Sequence, residues 1–262
     1  PDSGAARGGG VRALTSSDSE GGLCVEWLGE VPYGDALALQ NGMVSERLAG
    51  GGRDRLLLLE HPPVVTLGRS TDPANLRQSP ERLRARGVEV FEVGRGGDVT
   101  YHAPGQLVGY PILDLAAQER RDVHDHLRRI EAALIEALES LGIPARRVPG
   151  WTGVFVDRGR SAKPSGCERK IASIGVGLRR WVTFHGFALN VTIDLEGFAA
   201  IVPCGLKDVE MTSVLRELEI ENGPGIERGG EASFAAALDE RTRDAVARTM
   251  RSQLSASHPA TS

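Results

Sequence analysis

Residues 95–115 place glycines, a histidine and a proline directly ahead of an apolar, strand-like run: RGGDVTYHAPGQLVGYPILDL. Gly96 and Gly97 allow the backbone to bend sharply and to approach a ligand closely. Arg95 adds a fixed cation and His102 a titratable imidazole. The segment is therefore either a binding loop or a glycine-rich hairpin with a hydrogen-bonded histidine. It is neither the dinucleotide fingerprint GxGxxG nor a phosphate-binding loop that ends in GK[ST].

The composition argues against several classes of function. The chain has 262 residues, with 31 Lys and Arg against 35 Asp and Glu, so it lacks the basic field that binds nucleic acid. Its three cysteines are too few and too scattered for a disulfide framework or a CxxC metal site. We find no apolar run of the roughly 18 residues that a membrane span needs, and no signal peptide. We expect a cytoplasmic protein that binds neither nucleic acid nor membrane.

The distribution of apolar residues predicts three regions. Residues 1–22 are mostly Gly, Ser, Ala and charged residues, which bury too little apolar surface to offset the entropy of ordering, so we expect a flexible tail. Residues 23–220 carry the periodic patterns of a folded domain. Residues 221–262 begin with a polar, glycine-rich linker and end in a helix and a tail.

Apolar periodicity within the folded region predicts both strands and helices. The stripe in residues 122–142 indicates a helix that begins at Asp122 and ends at Gly142. Strands and helices mix without regular βαβ alternation, so we predict an α/β or α+β fold with a mixed sheet. The predicted strands are 23–28, 56–68 in two pieces, 88–93, 153–157, 170–178 and 181–193, and the predicted helices are 33–49, 80–86, 122–142, 209–219 and 232–254.

Lys170 is a candidate catalytic residue because it opens an otherwise apolar strand in the segment 169–191, RKIASIGVGLRRWVTFHGFALNV. Burial of an ammonium group is costly, so a buried lysine needs a reason. Taken alone, such a lysine more commonly extends its charged end to solvent and has a structural role. The same segment places His185 and Gly186 at the head of the next strand.

Cys204 is a candidate nucleophile because it stands between Pro203 and Gly205, just ahead of a predicted helix. A thiol on such a turn is accessible and feels the positive end of helix dipoles. The alternative is a small buried apolar side chain, which is what most free cysteines are. Cys24, in a predicted strand, and Cys167, in a polar segment, lack this setting.

Together these three segments resemble the lipoyl(octanoyl) transferases. Residues 95–110 follow the family signature R-G-G-x-x-T-[aromatic]-H-x-x-G-Q-x-[aliphatic]-x-Y at every specified position. KIASIG, FHGFALN and PCG then follow in the family's order and spacing, and the resemblance runs from about Leu56 to Leu218. The segment before Lys170 departs from the pattern, because it is longer than is usual in the family and carries Cys167.

The resemblance implies a set of site residues. Cys204 would hold the acyl group as a thioester, and Lys170 would lower the pKa of that thiol and carry protons. His102 and His185 would assist. Glycine-containing loops would surround the acyl chain, and neither a metal nor a cofactor is implied. The implied substrate-binding residues are Arg95, Gly96, Gly97, Asp98, Val99, Thr100, Tyr101, His102, Ser173, Ile174, Gly175, His185, Gly186, Phe187 and Ala188.

The resemblance also implies a fold and a reaction. The fold would be that of the biotin and lipoate protein ligase catalytic domains, a mixed sheet flanked by helices, with an acyltransferase domain at 23–220 and a ligase-like core at about 50–240. The enzyme would transfer an octanoyl or lipoyl group from acyl carrier protein to a lysine amine, the first step of endogenous protein lipoylation. The implied acceptors are the lipoyl domains of 2-oxoacid dehydrogenase complexes and the H protein of the glycine cleavage system. Aminolysis of a thioester is downhill, so no nucleotide is required.

Three other functions remain open on the sequence. An ATP-dependent lipoate or biotin ligase on the same fold would activate a free acid and would need no cysteine. A cysteine hydrolase would pair Cys204 with His102 or His185 and would pass the acyl group to water. A non-catalytic binding module would leave Lys170 and Cys204 unexplained.

Overall fold

The computed structural model describes residues 12–13, 22–156, 167–202, 209–222 and 231–255. Within these ranges the chain forms twelve strands and five α-helices. The strands are β1 (Arg12–Ala13), β2 (Cys24–Glu30), β3 (Arg55–Glu60), β4 (Val64–Leu67), β5 (Glu89–Glu92), β6 (Val99–His102), β7 (Gln106–Ile112), β8 (Ala145–Arg146), β9 (Val154–Val156), β10 (Glu168–Arg179), β11 (Val182–Asn190) and β12 (Val209–Met211). The helices are α1 (Tyr33–Leu48), α2 (Pro80–Ala85), α3 (Val123–Ser140), α4 (Val214–Asn222) and α5 (Glu231–Leu254).

Nine strands form one mixed sheet, in which the order β1-β2-β3-β7-β11-β10-β9-β8 is extended by β12, which pairs with β10. Most neighbours are antiparallel, but β2 runs parallel to β3 and β12 runs parallel to β10. A second, three-stranded sheet has the order β5-β4-β6. The predicted mixed sheet flanked by helices is confirmed.

Helices cover both faces of the large sheet. Successive residues of a strand point to opposite faces, so each strand contributes side chains to both layers of helices. In β3, Leu56 and Leu58 belong to the main core with α3 and α5, whereas Leu57 and Leu59 pack with residues of α1. The helix α3 begins where the sequence predicts. The side chain of Asp122 accepts hydrogen bonds from the first N–H groups of this helix and caps it.

A glycine allows close packing in the middle of the sheet. Gly109 on β7 faces Phe187 on β11, and a Cβ atom at position 109 would come within 2.1 Å of the Phe187 ring. The ring therefore lies directly on the β7 backbone, which no larger residue would permit. Phe187 is buried, and it also lines the cavity described below.

The last helix packs against the main core. The guanidinium carbon of Arg243, on this helix, lies 4.7 Å from the ring centroid of Trp27 on β2. The sequence pattern predicts this helix in the region 221–262, after the acyltransferase domain, and in the structure its apolar side is buried with α3. The α5 residues in the core are Leu238, Ala245, Val246, Ala247, Met250 and Leu254. Across the described ranges, none of the helices combines the length and the apolarity needed to cross a membrane.

One predicted element is wrong at its start. The sequence predicts a helix over 209–219, but residues 209–211 form β12, and α4 begins only at Val214. Pairing with Glu168–Lys170 of β10 overrides the helical pattern, because a short segment takes its conformation from its neighbours. Of the predicted tail at 1–22, the structure describes Arg12–Ala13, which pair with β2, and residue 22. The remainder of that tail lies outside the described residues.

Candidate active site

A cavity of about 210 Å³ is lined by residues of both sheets. The small sheet contributes Val99, Thr100 and His102 from β6, and the large sheet contributes residues of β7, β10 and β11. The first residue of α1, the glycine-rich loop before β6 and the segment 150–152 complete the lining. The lining residues are Tyr33, Arg95, Gly97, Asp98, Val99, Thr100, His102, Val108, Tyr110, Gly150, Trp151, Thr152, Lys170, Ser173, Ile174, Gly175, His185, Gly186, Phe187 and Ala188.

Most of the predicted substrate-binding residues meet at this cavity, but two do not line it. Alternation along β6 turns Tyr101 away from Thr100 and His102, and its ring packs against Phe198 with the ring centroids 5.6 Å apart. Gly96 donates its backbone N–H to the carbonyl of Val176 at 2.9 Å. Gly96 therefore ties the loop to β10, and Tyr101 packs on the side of β6 that faces away from the cavity.

Lys170 is buried and lines the cavity. Its side chain is 2% exposed, so it does not extend to solvent as most lysines at strand ends do. The Nζ atom lies 5.6 Å from the centroid of the Phe155 ring. Gly153 lies against the same side chain: a Cβ there would be 2.8 Å from Lys170 Cε, and its φ of +127° is unfavourable for any other residue. Phe155 and Gly153 thus confine the ammonium group at the cavity wall.

A buried carboxylate anchors the segment that carries Gly153. Glu131 on α3 is fully buried, and it accepts hydrogen bonds from the Gly153 N–H at 3.2 Å and from Arg147 Nε at 2.9 Å. Arg128 pairs with the same carboxylate. The segment between Arg147 and Gly153 is therefore tied to α3 at both ends, and its residues 150–152 line the cavity.

Arg95 fixes the glycine-rich loop with its guanidinium group. Its Nη2 donates to the carbonyl of Thr66 at 2.8 Å and to Thr66 Oγ1 at 2.9 Å, and its Nη1 donates to the carbonyl of Gly96 at 3.1 Å. The side chain is nearly buried at the cavity wall. Its positive charge lowers the pKa of the nearby His102 and His185, because it disfavours a second cation there.

The histidines around the cavity are neutral. Burial lowers the pKa of His185 to about 4, with a further contribution from Arg95. Burial and the neighbouring His61 lower the pKa of His102 to about 3. His61, behind the lining, donates from Nδ1 to the Val31 carbonyl at 2.6 Å, and burial lowers its pKa to about 4. None of the three would hold a proton at neutral pH.

His185 has an unusual backbone conformation. Its φ is +55°, and its N–H donates to Gln40 Oε1 at 2.8 Å. Neither ring nitrogen has a hydrogen-bond partner within the described residues, although both are buried. Buried polar atoms are usually satisfied, so these nitrogens are available to a ligand in the cavity.

Several lining residues are absent from the predicted set. Tyr33, Gly150, Trp151 and Thr152 lie outside the signature segments. Val108 and Tyr110 could have been found, because they are the last two specified positions of the signature. Burial raises the pKa of Tyr33 to about 12, so its hydroxyl keeps its proton.

Cys204 lies outside the described residues, as do all of residues 203–208. The structure does describe where the chain resumes: β12 begins at Val209, and Met211 pairs with Lys170. Four residues lie between Cys204 and Val209, so the five Cα–Cα steps span at most about 18 Å. In the part of the chain that is described, no three His, Cys, Asp or Glu side chains cluster so as to hold a metal ion.

Comparison with known proteins identifies the family. The family described as the lipoyl protein ligase A/B catalytic domain matches residues 32–228. An octanoyltransferase of Acidobacterium capsulatum is 48% identical over 205 residues, which cover 76% of this chain and 81% of that protein. The chain belongs to this family. The resemblance inferred from the motifs is thereby confirmed.

Further relatives agree with this assignment. An octanoyltransferase of Myxococcus xanthus is 50% identical over 196 residues, 75% of this chain, and the match spans about half (54%) of the length of that relative. Among solved structures, a lipoate-protein ligase A bound with ATP has a TM-score of 0.59 at 19% identity and covers 90% of this chain and 86% of that one. A bipartite lipoate protein ligase from Thermoplasma acidophilum has a TM-score of 0.55 at 19% identity, over 90% and 84% of the two chains. These structures confirm the predicted ligase-like fold.

Proposed function

We propose that this member of the lipoyl protein ligase A/B family transfers an octanoyl group from the thioester of acyl carrier protein to a lysine amine of a lipoyl domain. The relatives named octanoyltransferase, 48–50% identical over three quarters of the chain, support acyl transfer. The observation that carries the proposal is the buried Lys170 at the wall of a cavity that the glycine-rich loop lines together with residues of β10 and β11. The acceptors would include the lipoyl domains of 2-oxoacid dehydrogenase complexes and the glycine cleavage H protein.

In the first half-reaction, the Cys204 thiolate would attack the carbonyl carbon of the octanoyl thioester. A bond forms between that carbon and Sγ, the bond to the carrier's sulfur breaks, and the carrier's thiolate takes a proton from the ammonium group of Lys170, which leaves the Lys170 amine neutral. A thiol suits this exchange because one thioester replaces another at little cost in free energy. Backbone N–H groups of the loops would stabilise the oxyanion that forms in the transition state.

In the second half-reaction, the acceptor amine would attack the acyl-enzyme. A bond forms between nitrogen and the carbonyl carbon, the bond to Cys204 Sγ breaks, and the amine loses a proton. The neutral amine of Lys170 would take that proton, because among the described residues it is the lysine that lines the cavity, confined by Gly153 and Phe155. The products are an amide and the free thiolate, and no nucleotide is consumed.

The histidines argue against a cysteine hydrolase. A thiolate paired with an imidazolium needs a histidine that holds a proton near neutral pH. Burial instead lowers the pKa of His102 to about 3 and that of His185 to about 4. Neither histidine suits that role, whereas Lys170 can serve as proton carrier. An ATP-dependent ligase would share the fold, and Cys204 at the family's nucleophile position favours transfer over ligation.

A transfer assay separates these functions. Octanoyl carrier protein and a lipoyl domain would be incubated with the full chain, with and without ATP, and the product identified by its mass. We expect octanoyl-lysine at the same rate in both reactions. Product formed only from free octanoate and ATP would identify a ligase. Release of free octanoate without lysine modification would identify a hydrolase.

A further inference from the structure

A buried chain of side-chain hydrogen bonds leads from the cavity to Thr212, the residue that directly follows β12. His102 Nδ1 lies 2.7 Å from Gln106 Oε1, and Gln106 Nε2 donates to Asn190 Oδ1 at 2.8 Å. Asn190 Nδ2 then donates to the backbone carbonyl of Thr212 at 2.9 Å. Gln106 and Asn190 are each only 1% exposed, so water does not compete for these groups.

Backbone carbonyls fix the direction of this chain. The Thr212 carbonyl can only accept, so Asn190 must turn its NH₂ group toward it and its Oδ1 toward Gln106. Gln106 must then present its NH₂ group to Asn190, and the same group also donates to the carbonyl of Tyr101 at 3.3 Å. Oε1 of Gln106 is left to face His102. The His102 proton therefore resides on Nδ1, and Nε2 is the acceptor of a neutral ring.

The surroundings of His102 keep its ring neutral. Its ring centroid is 5.8 Å from that of His61 and 6.3 Å from that of Tyr33, whose raised pKa of about 12 keeps the hydroxyl uncharged. Arg95 and His185 also oppose a positive charge there. The other ionisable side chains at the cavity wall, within the described residues, are Asp98, Tyr110 and Lys170. No carboxylate hydrogen-bonds to His102 within the described residues, and the neutral amide of Gln106 takes that place.

We propose that His102 presents Nε2 to the cavity as a permanent hydrogen-bond acceptor for an N–H of the acyl acceptor, and that Gln106 and Asn190 are positioning residues that fix this orientation. This inference rests on the proposed function, because the acceptor amine is its ligand. An attacking amine must direct its lone pair at the thioester carbon, and an acceptor held at a fixed position orients one of its N–H bonds. Lys170 takes the proton, while His102 orients the nucleophile.

The same chain connects His102 to Lys170. Thr212, which accepts from Asn190, donates its own N–H to the carbonyl of Lys170 at 3.0 Å. The Thr212 hydroxyl donates to the buried carboxylate of Glu217, which pairs with Arg169 at 3.0 Å. One buried network therefore holds the backbone of the proton carrier and the ring of the orienting group.

The wild-type protein alone tests the tautomer. The full chain would be prepared with ¹⁵N-labelled histidine, and the His102 signals would be assigned by their loss in His102→Gln. We expect the neutral form with the proton on Nδ1 throughout pH 5–8. A proton on Nε2, or titration near pH 6.5, would overturn the proposal. This readout does not depend on which acyl group the enzyme transfers.

Gln106→Glu tests the positioning role. The carboxylate is nearly the same size as the amide and favours an imidazolium, so it should raise the pKa of His102. Below that pKa, Nε2 carries a proton and cannot accept. Relative to the wild type at the same pH, we expect transfer from the acyl-enzyme to the lipoyl domain to be about tenfold slower at low pH, because one hydrogen bond at the reacting group is lost. At higher pH the rate should recover. Acylation of the enzyme, which involves no amine, should change little.

A matched control and two contrary outcomes complete this test. Gln78 accepts a hydrogen bond from Arg86 away from the cavity, so Gln78→Glu should behave like the wild type. Equal, pH-independent losses in both half-reactions of Gln106→Glu would reduce Gln106 to a structural role and refute the proposal. If the wild type itself fails to transfer octanoyl, the proposed function fails, and the NMR spectrum still decides the tautomer. If Gln106→Glu does not fold, the same spectrum decides.

Discussion

At the scale of single residues, the buried position of Lys170 raises the question of what its amine contributes. A cation that lowers the pKa of a thiol from about 8.5 to about 7 raises the thiolate fraction at pH 7 roughly fifteenfold. The less basic thiolate is also a weaker nucleophile by roughly fivefold, which leaves a net gain of about threefold. A positioned acid or base contributes typically 10²–10⁴. We therefore propose that the larger role of Lys170 is proton transfer.

We expect Lys170→Ala to slow transfer to the lipoyl domain by about 10²-fold or more, and to slow acylation of the enzyme less, so that acyl-enzyme accumulates. Lys170→Arg should not restore transfer, because a guanidinium keeps its proton and cannot act as a base. Single-turnover measurements of the two half-reactions check this expectation. Small, equal losses in both would mean that Lys170 only lowers the pKa of the thiol.

At the scale of elements, substitutions in α5 test whether this helix is part of the folded domain. Met250 of α5 is fully buried in the main core. Met250→Ala should lower the free energy of unfolding by about 2–5 kcal/mol, because it leaves a cavity in a packed interior. The matched variant Arg248→Ala alters an exposed position of the same helix and should cost less than about 0.5 kcal/mol. Urea denaturation measures both; equal, small effects would mean that α5 is an appendage.

The sequence allowed most elements to be predicted, and the exceptions have a physical cause. Asp122 and the apolar stripe after it define α3, because capping and periodicity are local properties. β12 could not be predicted, because its conformation depends on pairing with β10, about forty residues earlier. The signature loops predicted most of the cavity, whereas Tyr33 and Trp151 come to it only through tertiary packing. Local sequence likewise could not reveal that Tyr101 faces Phe198.

At the scale of the whole molecule, buried histidines couple stability to pH. Burial is the main cause that lowers the pKa of His61, His126 and His185 to about 4 and that of His102 to about 3. The unfolded chain binds these four protons below pH 6.5 and the folded chain does not, so stability present above pH 6.5 is lost as the pH falls toward 4. Asp239 acts in the opposite direction, because burial raises its pKa to about 6. It offsets part of the loss.

We therefore expect the free energy of unfolding to fall by about 4 kcal/mol between pH 6 and pH 5, since each proton taken up on unfolding contributes about 1.4 kcal/mol per pH unit. Urea denaturation at several pH values measures this slope. His126 lies away from the cavity. His126→Gln removes one of the four protons, so it should reduce the slope by about 1.4 kcal/mol per pH unit. A stability that does not change between pH 6 and pH 5 would contradict the neutral state of the buried histidines.

The most direct test of the whole account is the location of the acyl group on the enzyme. The full chain would be incubated with octanoyl carrier protein without an acceptor, digested, and analysed by mass spectrometry. We predict one octanoyl adduct on Cys204, its absence in Cys204→Ser, and its persistence in Cys167→Ser. An adduct on Cys24 or Cys167, or transfer to the lipoyl domain that survives in Cys204→Ser, would contradict the acyl-enzyme mechanism.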